Sequence, residues 1–120
     1  MTLSVSVHQR DADTGELGPD LVAEAGAGLG GFEVWRTSVY GSDAVRRRGA
    51  HFLPQLASAN LMLEGDELAL FRAECVGLIG DVQQLGIELG VGPETLSHRL
   101  SNFVAAADQA MLVGGVVWIA

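Results

Sequence analysis

Apolar residues recur in alternating steps of three and four between residues 68 and 89. The positions that follow this spacing are Leu68, Phe71, Cys75, Leu78, Val82, Leu85 and Leu89. Because an α-helix turns once per 3.6 residues, the spacing predicts one buried stripe along a helix. Asp66 is a plausible start for this helix and Gly90 a plausible stop. The pattern therefore predicts a continuous helix over residues 66–89.

Four carboxylates accompany the stripe at seven-residue intervals, each one residue before an apolar position. We call Glu67, Glu74, Asp81 and Glu88 the acidic row. On a continuous helix, successive members would lie about 10.5 Å apart along one edge. Three interpretations are open: a solvated flank of a packed helix, a surface that attracts a cationic partner, or pairing with Arg46–Arg48 within the chain or across a dimer.

A second stripe follows Pro93, and it ends before Gly114. Its members are Leu96, Leu100, Phe103, Ala107 and Ala110. The two stripes predict an antiparallel pair of long helices. Strands are expected at four places, listed by their bounds: residues 3–7, Phe32 to Tyr40, Leu61 to Leu63, and Val116 to Ile119. The prediction is one α+β domain over residues 1–120, with a small, mostly antiparallel sheet, the helix pair packed on one face, and the C-terminal strand inside the sheet.

Shorter signals fill the rest of the chain. Ser42 is expected to cap a short helix that runs to Arg48 and ends at Gly49. Pro54 limits residues 51–59 to a single turn or an irregular segment. Residues 11–16 are turn formers, and residues 17–31 are expected to be a loop with a short element near residues 21–25.

The net charge of -8 excludes several classes of partner. Nucleic acids and anionic membranes both favour a basic surface, so neither is expected. A basic protein is the partner that this charge suits. The N-terminus lacks a signal peptide's apolar run, the longest apolar stretch is too short to span a bilayer, and the one cysteine cannot form an intramolecular disulfide. A cytoplasmic protein is expected.

No catalytic, metal or cofactor motif meets its structural requirements. Residues 26–31 match the letters of the dinucleotide-binding pattern G-x-G-x-x-G, but a strand should precede that pattern and a helix should follow it. A strand is expected after it instead. Residues 11–22 lack two of the oxygen ligands of a calcium-binding EF-hand loop, so a hairpin turn is predicted there. The three histidines, His8, His51 and His98, show no metal-ligand spacing.

The aromatic residues suggest contact groups. Trp118 lies in an apolar strand and is expected in the core. Trp35, Arg36 and Tyr40 have the chemistry of interface anchors if the second face of the sheet is open to solvent. The alternative is a second small core beneath the glycine-rich loop.

The segment GFEVWRTSVYGS at residues 31–42, followed by GAHFLPQL at residues 49–56, resembles small acidic bacterial proteins that serve as immunity proteins in polymorphic toxin systems. The resemblance covers about residues 30 to 60. Immunity proteins of this kind differ in fold, act by occluding the active site of a toxin, and need no catalytic residues. No residue role can be transferred from the resemblance.

These observations give a non-enzymatic protein-binding module as the leading hypothesis, with an immunity-type inhibitor of a basic toxin as its main case. The acidic row would steer the partner, and Trp35, Arg36 and Tyr40 would anchor it. A structural homo-oligomer, such as a homodimer, is the first alternative; it would set Arg46–Arg48 of one subunit against the acidic row of another. A small enzyme is the second, and it would need a pocket that gathers a histidine with carboxylates.

Overall fold

The expected α+β fold is confirmed in a computed structural model that describes residues 2–19, 21 and 29–120. In these residues the strands are β1 (Thr2–His8), β2 (Leu29–Phe32), β3 (Leu61–Glu64) and β4 (Val116–Ile119). The α-helices are α1 (Asp43–Arg47), α2 (Glu67–Gly80), α3 (Val82–Leu89) and α4 (Pro93–Val113). Residues 22–28, which hold most of the short element predicted near residues 21–25 and the first part of the glycine motif, lie outside the described ranges.

The described strands form one antiparallel sheet in the order β2-β1-β4-β3. Both neighbours of β4 pair with it in full, so the C-terminal strand lies inside the sheet as predicted. Along β1, Leu3, Val5 and Val7 are buried because alternate side chains of a strand point to the same face. That apolar face is the one the helix pair covers.

The core lies between the sheet and the pair α2 and α4. Each predicted member of the α4 stripe is buried. A chain of edge-to-face ring contacts crosses this core, with neighbouring ring centroids 5.4 to 6.0 Å apart. The rings, in order, are Trp35, Tyr40, Phe103, Phe71 and Phe52. Edge-to-face packing aligns the positive edge of one ring with the negative face of the next.

The helix boundaries follow the local sequence signals. The Ser42 hydroxyl accepts the N–H of Val45 and caps α1. Asp66 is the N-cap residue immediately before α2, and Pro93 is the first residue of α4. Gly90 ends α3 with φ of 68°, a left-handed conformation that costs glycine little. The turn at residues 11–16 is also confirmed, since Arg10 and Leu17 bridge across it.

The strand predicted from Phe32 to Tyr40 is wrong. The strand ends at Phe32, and residues 36–40 form a single π-helical turn. The ring of Trp35 packs directly on Gly31, where a Cβ would lie 2.6 Å from the ring. The β-branched and aromatic composition predicted a strand, but burial of the Trp35 and Tyr40 rings in the core decides the backbone path.

Two further predictions are corrected. The helix over residues 66–89 is not continuous, because Asp81 leaves the helical conformation (φ -115°, ψ 21°) and separates α2 from α3. Trp118 is only half-buried, and it pairs in register with Ser6 and Met62, on the opposite side of β4 from the buried Val117 and Ile119.

Candidate functional site

The acidic row stays at the surface, but its members differ in whether they have a partner within the chain. Glu67 lies in the first turn of α2, where the positive end of the helix dipole favours a carboxylate. Among the described residues it has no ion-pair partner. The other three members all have partners within the chain. The row is therefore not the continuous unpartnered edge that the steering hypothesis requires.

Glu74 holds the segment that precedes β3. Its Oε1 accepts the backbone N–H groups of His51 and Phe52, and its Oε2 accepts the N–H of Leu53 at 2.9 Å. These N–H groups open the 3-10 helix Leu53–Ala57, whose first turn offers no other partner for them. The role of Glu74 is thus structural: it fixes this segment to α2.

Asp81 and Glu88 bind the basic cluster. Arg48 Nε donates to Asp81 Oδ2 at 2.6 Å, and Arg48 Nη2 donates to Glu88 Oε2. Arg47 Nη2 donates to the other oxygen of Glu88 at 2.9 Å. The hydrogen bond from Arg48 is the largest of the effects that lower the pKa of Glu88 below its usual range.

For Asp81 and Glu88, this network confirms the interpretation in which the acidic row pairs with the arginine cluster inside the chain; Glu67 and Glu74 do not take part in it. It joins α1 to the break between α2 and α3. Arg47 and Arg48 would have to give up these pairs to form the predicted dimer contact. The third arginine of the cluster, Arg46, donates to the carbonyl of Gly41.

The three predicted anchors are not exposed contact groups. Tyr40 is fully buried and donates its hydroxyl hydrogen to the carbonyl oxygen of Gly30, while Trp35 is 7% exposed. Arg36 is half-buried; it pairs with Glu33 at 2.5 Å and donates to two backbone carbonyls and to Asn60. The alternative that places the rings in a core is correct, although they join the main core rather than a separate one.

The solvent side of α2 carries a feature that the predictions from sequence did not include. At about 100° per residue, six positions fall on one arc of about 120° that points away from the buried stripe. We call them the outer face of α2: Ala69, Leu70, Ala73, Val76, Gly77 and Gly80. All six are exposed, and none is charged or polar.

The outer face is unusual for a helix of an acidic protein. Leu70 is 62% exposed and Val76 is 45% exposed, and the small residues lie between them. Arg72 borders the arc on one side, in an ion pair with Asp108 of α4, and Glu74 borders it on the other. Single exposed apolar residues are common, but a contiguous apolar face rimmed by charge marks an interaction surface.

The glycines on this face have no role in packing within the described chain. A Cβ built on Gly77 or Gly80 meets no atom within 4 Å. Glycine inside a helix costs about 0.5–1 kcal/mol relative to alanine. In contrast, a Cβ on Gly86 of α3 would lie 2.7 Å from the carbonyl oxygen of Val91. Gly86 is therefore required by the fold, whereas Gly77 is not.

A groove runs beside the outer face. It has a volume of about 340 Å³ and lies between α2 and the segment that follows α1. Ala73 and Gly77 of the outer face line it, together with Gly49 and Ala50 across from them. The groove exists because these four residues are small. Its other lining residues are Arg48, Glu74, Leu78 and Asp81.

The structure adds nothing to the metal and enzyme hypotheses. In the described part of the chain, no group of three or more histidine, cysteine or carboxylate side chains is placed to hold a metal ion. His8 is hydrogen-bonded to Gly18 and Ser6, and His51 lies against Phe52.

No helix in the described ranges is long and apolar enough to cross a membrane.

The outer face could have been found from the sequence. Only three residues of α2 are charged (Glu67, Arg72 and Glu74), so apolar residues continue well beyond the stripe. A surface helix normally shows polar residues opposite its buried side. The regular spacing of the acidic row does not reveal this excess of apolar residues.

Comparison with known proteins gives no match, whether with family models, with curated proteins or with solved structures.

Proposed function

We propose that this protein is a non-enzymatic binding module that docks a basic partner protein on the outer face of α2. The main support is the uncharged arc from Leu70 to Val76, where apolar side chains remain 62% and 45% exposed to water. Burying apolar surface contributes about 25 cal/mol per Å², so covering this face favours association.

The charge around the face supports a basic partner. Asp66 and Glu67 lie at the N-terminal end of α2, both exposed and without an ion pair among the described residues. The chain as a whole carries a net charge of -8. Complementary charge accelerates encounter, and a buried apolar contact slows dissociation. In this proposal Asp66 and Glu67 attract the partner, and Leu70 and Val76 form the apolar contact with it.

An immunity-type inhibitor that occludes a toxin in the bacterial cytoplasm remains our leading case. It rests on the resemblance of residues 31–42 and 49–56, on the acidic charge, and on a surface suited to a protein rather than to a small substrate. The contact residues lie on a helix, which is a rigid element. A rigid contact surface suits a protein that acts by blocking access to an active site.

Site-specific photocrosslinking in the native host tests the proposal. A benzoylphenylalanine residue at position 76 should form an adduct with one protein, and the same probe at Ile87 should not. Ile87 is the matched control because it is an apolar residue, 73% exposed, on the neighbouring helix α3. The crosslinked protein is then identified by mass spectrometry, purified and bound to the chain in isolation.

In that binary measurement, Leu70→Ser combined with Val76→Ser should weaken binding at least tenfold, while Ile87→Ser should change it less than twofold. Absence of an adduct at position 76 would reject the proposal. An adduct with a second copy of the chain would also reject it, in favour of a homo-oligomer that sedimentation equilibrium would then confirm.

A further inference from the structure

We propose that the groove beside Gly77 receives a lysine or arginine side chain of the partner. This inference rests on the proposed function, because the groove shares Ala73 and Gly77 with the outer face of α2. It specifies the part of the partner that is bound there.

The volume and the lining of the groove suit a side chain with a long aliphatic stem. Its floor is made of small or apolar residues, namely Gly49, Ala50, Ala73, Gly77 and Leu78. Its volume of about 340 Å³ exceeds that of any single side chain. Lysine and arginine bury an aliphatic stem along apolar surface and keep the charged head at a polar rim.

The chemistry of the rim fits a cationic head. Of the two acids there, Asp81 is the one available to a partner. Its bond to Arg48 uses Oδ2, and its side chain is 53% exposed, so it can accept a further hydrogen bond. Glu74 adds negative charge, although its oxygens serve the backbone of the segment at residues 51–53.

Arg48 also lines the groove, and its positive charge opposes the binding of a cation. Its Nε, Nη1 and Nη2 donate to Asp81, to the carbonyl of Ala44 and to Glu88, respectively. The single positive charge of Arg48 is thus paired with two carboxylates, those of Asp81 and Glu88. With Asp81 and Glu74 both on the rim, the lining carries one negative charge in excess, which favours a cation over an anion.

Gly77 gives independent support. The described chain has no steric need for a glycine there, and any larger residue would narrow the groove. A partner side chain that lies against the helix backbone would explain why a residue unfavourable to the helix occupies this position.

A fragment titration tests the inference without the partner. The probe is N-acetyl-arginine methylamide, followed by amide chemical shifts of the ¹⁵N-labelled protein. We expect saturable shifts confined to residues 49–50, 73–78 and 81, with millimolar affinity. N-acetyl-norleucine methylamide, which has an aliphatic stem without the charge, should bind at least fivefold more weakly.

Variants make the test specific. Asp81→Asn should weaken binding of the arginine probe at least threefold, and Gly77→Leu should abolish it by filling the groove. Glu16→Gln, which removes one exposed carboxylate from the turn at residues 11–16, should leave it unchanged. Non-saturable shifts spread over the acidic surface, or equal binding of the norleucine probe, would overturn the inference.

The two proposals fail separately. If the probe at position 76 crosslinks a partner but the fragment does not bind, the groove is rejected and the docking face stands. If the fragment binds but position 76 gives no adduct, the proposed function is rejected, and with it the assignment of the groove to a partner side chain.

Discussion

Tyr40 shows how one buried hydroxyl links the core to the first edge of the sheet. Its ring lies between Trp35 and Phe103, and its hydroxyl donates to the carbonyl of Gly30 in the edge strand β2. Burial raises the pKa of Tyr40 far above its ordinary value of 10.0. The folded protein therefore keeps a proton that the unfolded chain would release.

Because Tyr40 is the only tyrosine, its ionisation can be observed directly. Absorbance at 295 nm should stay flat through pH 10 and rise only as the protein unfolds. The sign follows from the raised folded pKa: the contribution to stability is complete below the unfolded pKa of about 10 and is lost as the pH rises above it. A reversible titration near pH 10, with circular dichroism unchanged, would contradict this placement of the side chain.

Glu74 is a second residue whose role depends on contacts distant in sequence. Its three N–H partners lie 21 to 23 positions earlier in the chain, so no local pattern could have identified them. Seven-residue spacing predicted only that Glu74 would share an edge with Glu67. It could not distinguish a solvated carboxylate from one that holds a backbone segment.

Glu74→Gln should therefore destabilise the protein by about 1–3 kcal/mol, because charge-assisted hydrogen bonds are lost and a donor amide replaces one acceptor oxygen. The measurement is urea unfolding followed by circular dichroism. The control is Glu16→Gln, an exposed substitution expected to change the free energy of unfolding by less than about 0.5 kcal/mol. Equal effects of the two substitutions would refute the anchoring role.

At the scale of elements, boundaries were predicted well wherever a local chemical signal marks them. Ser42, Gly90 and Pro93 act through their own backbone chemistry, and each lies where the sequence placed it. The strand predicted at residues 32–40 was wrong because ring burial outweighs strand propensity. The long helix was wrong because the spacing of apolar residues continues across the break at Asp81.

The glycines of α2 and α3 provide a matched prediction about helix surfaces. Gly77→Ala should raise the free energy of unfolding by about 0.5–1 kcal/mol, since the new methyl group meets open space. Gly86→Ala should lower it, because the methyl group would collide with the carbonyl of Val91. Thermal or urea unfolding measures both.

Gly77→Ala also tests whether the glycine at position 77 serves binding of the partner. If Gly77→Ala stabilises the fold and also weakens the isolated partner complex, the residue is kept for contact. If it stabilises the fold and leaves partner binding unchanged, the outer face does not require close approach at that point.

At the scale of the whole molecule, internal pairing decides which charges remain for a partner. Within residues 2–19, 21 and 29–120, five arginines form ion pairs with five carboxylates, as the following pairs show: Arg10–Glu64, Arg36–Glu33, Arg47–Glu88, Arg48–Asp81 and Arg72–Asp108. The net charge of -8 is thus carried by residues outside these pairs. The composition predicted that the electrostatic field of the protein is negative, but not which carboxylates produce it. Asp66 and Glu67 are the members of this excess that lie at the end of the outer face.

The association rate with the crosslinked partner should therefore depend strongly on salt. We expect the rate constant to fall about tenfold or more between 50 and 500 mM NaCl, with little change in dissociation, because screening shortens the reach of exposed charges. Stopped-flow fluorescence or surface plasmon resonance measures both rates.

Two double charge reversals locate the source of this steering. Asp66→Lys with Glu67→Lys places the change beside the outer face, and Asp43→Lys with Glu94→Lys makes the same change in net charge in the first turns of α1 and α4. The first should slow association at low salt clearly more than the second, because local potential and not total charge guides the final approach. Equal slowing would mean that the partner responds to net charge alone, and an association rate independent of salt would mean that the partner is not basic.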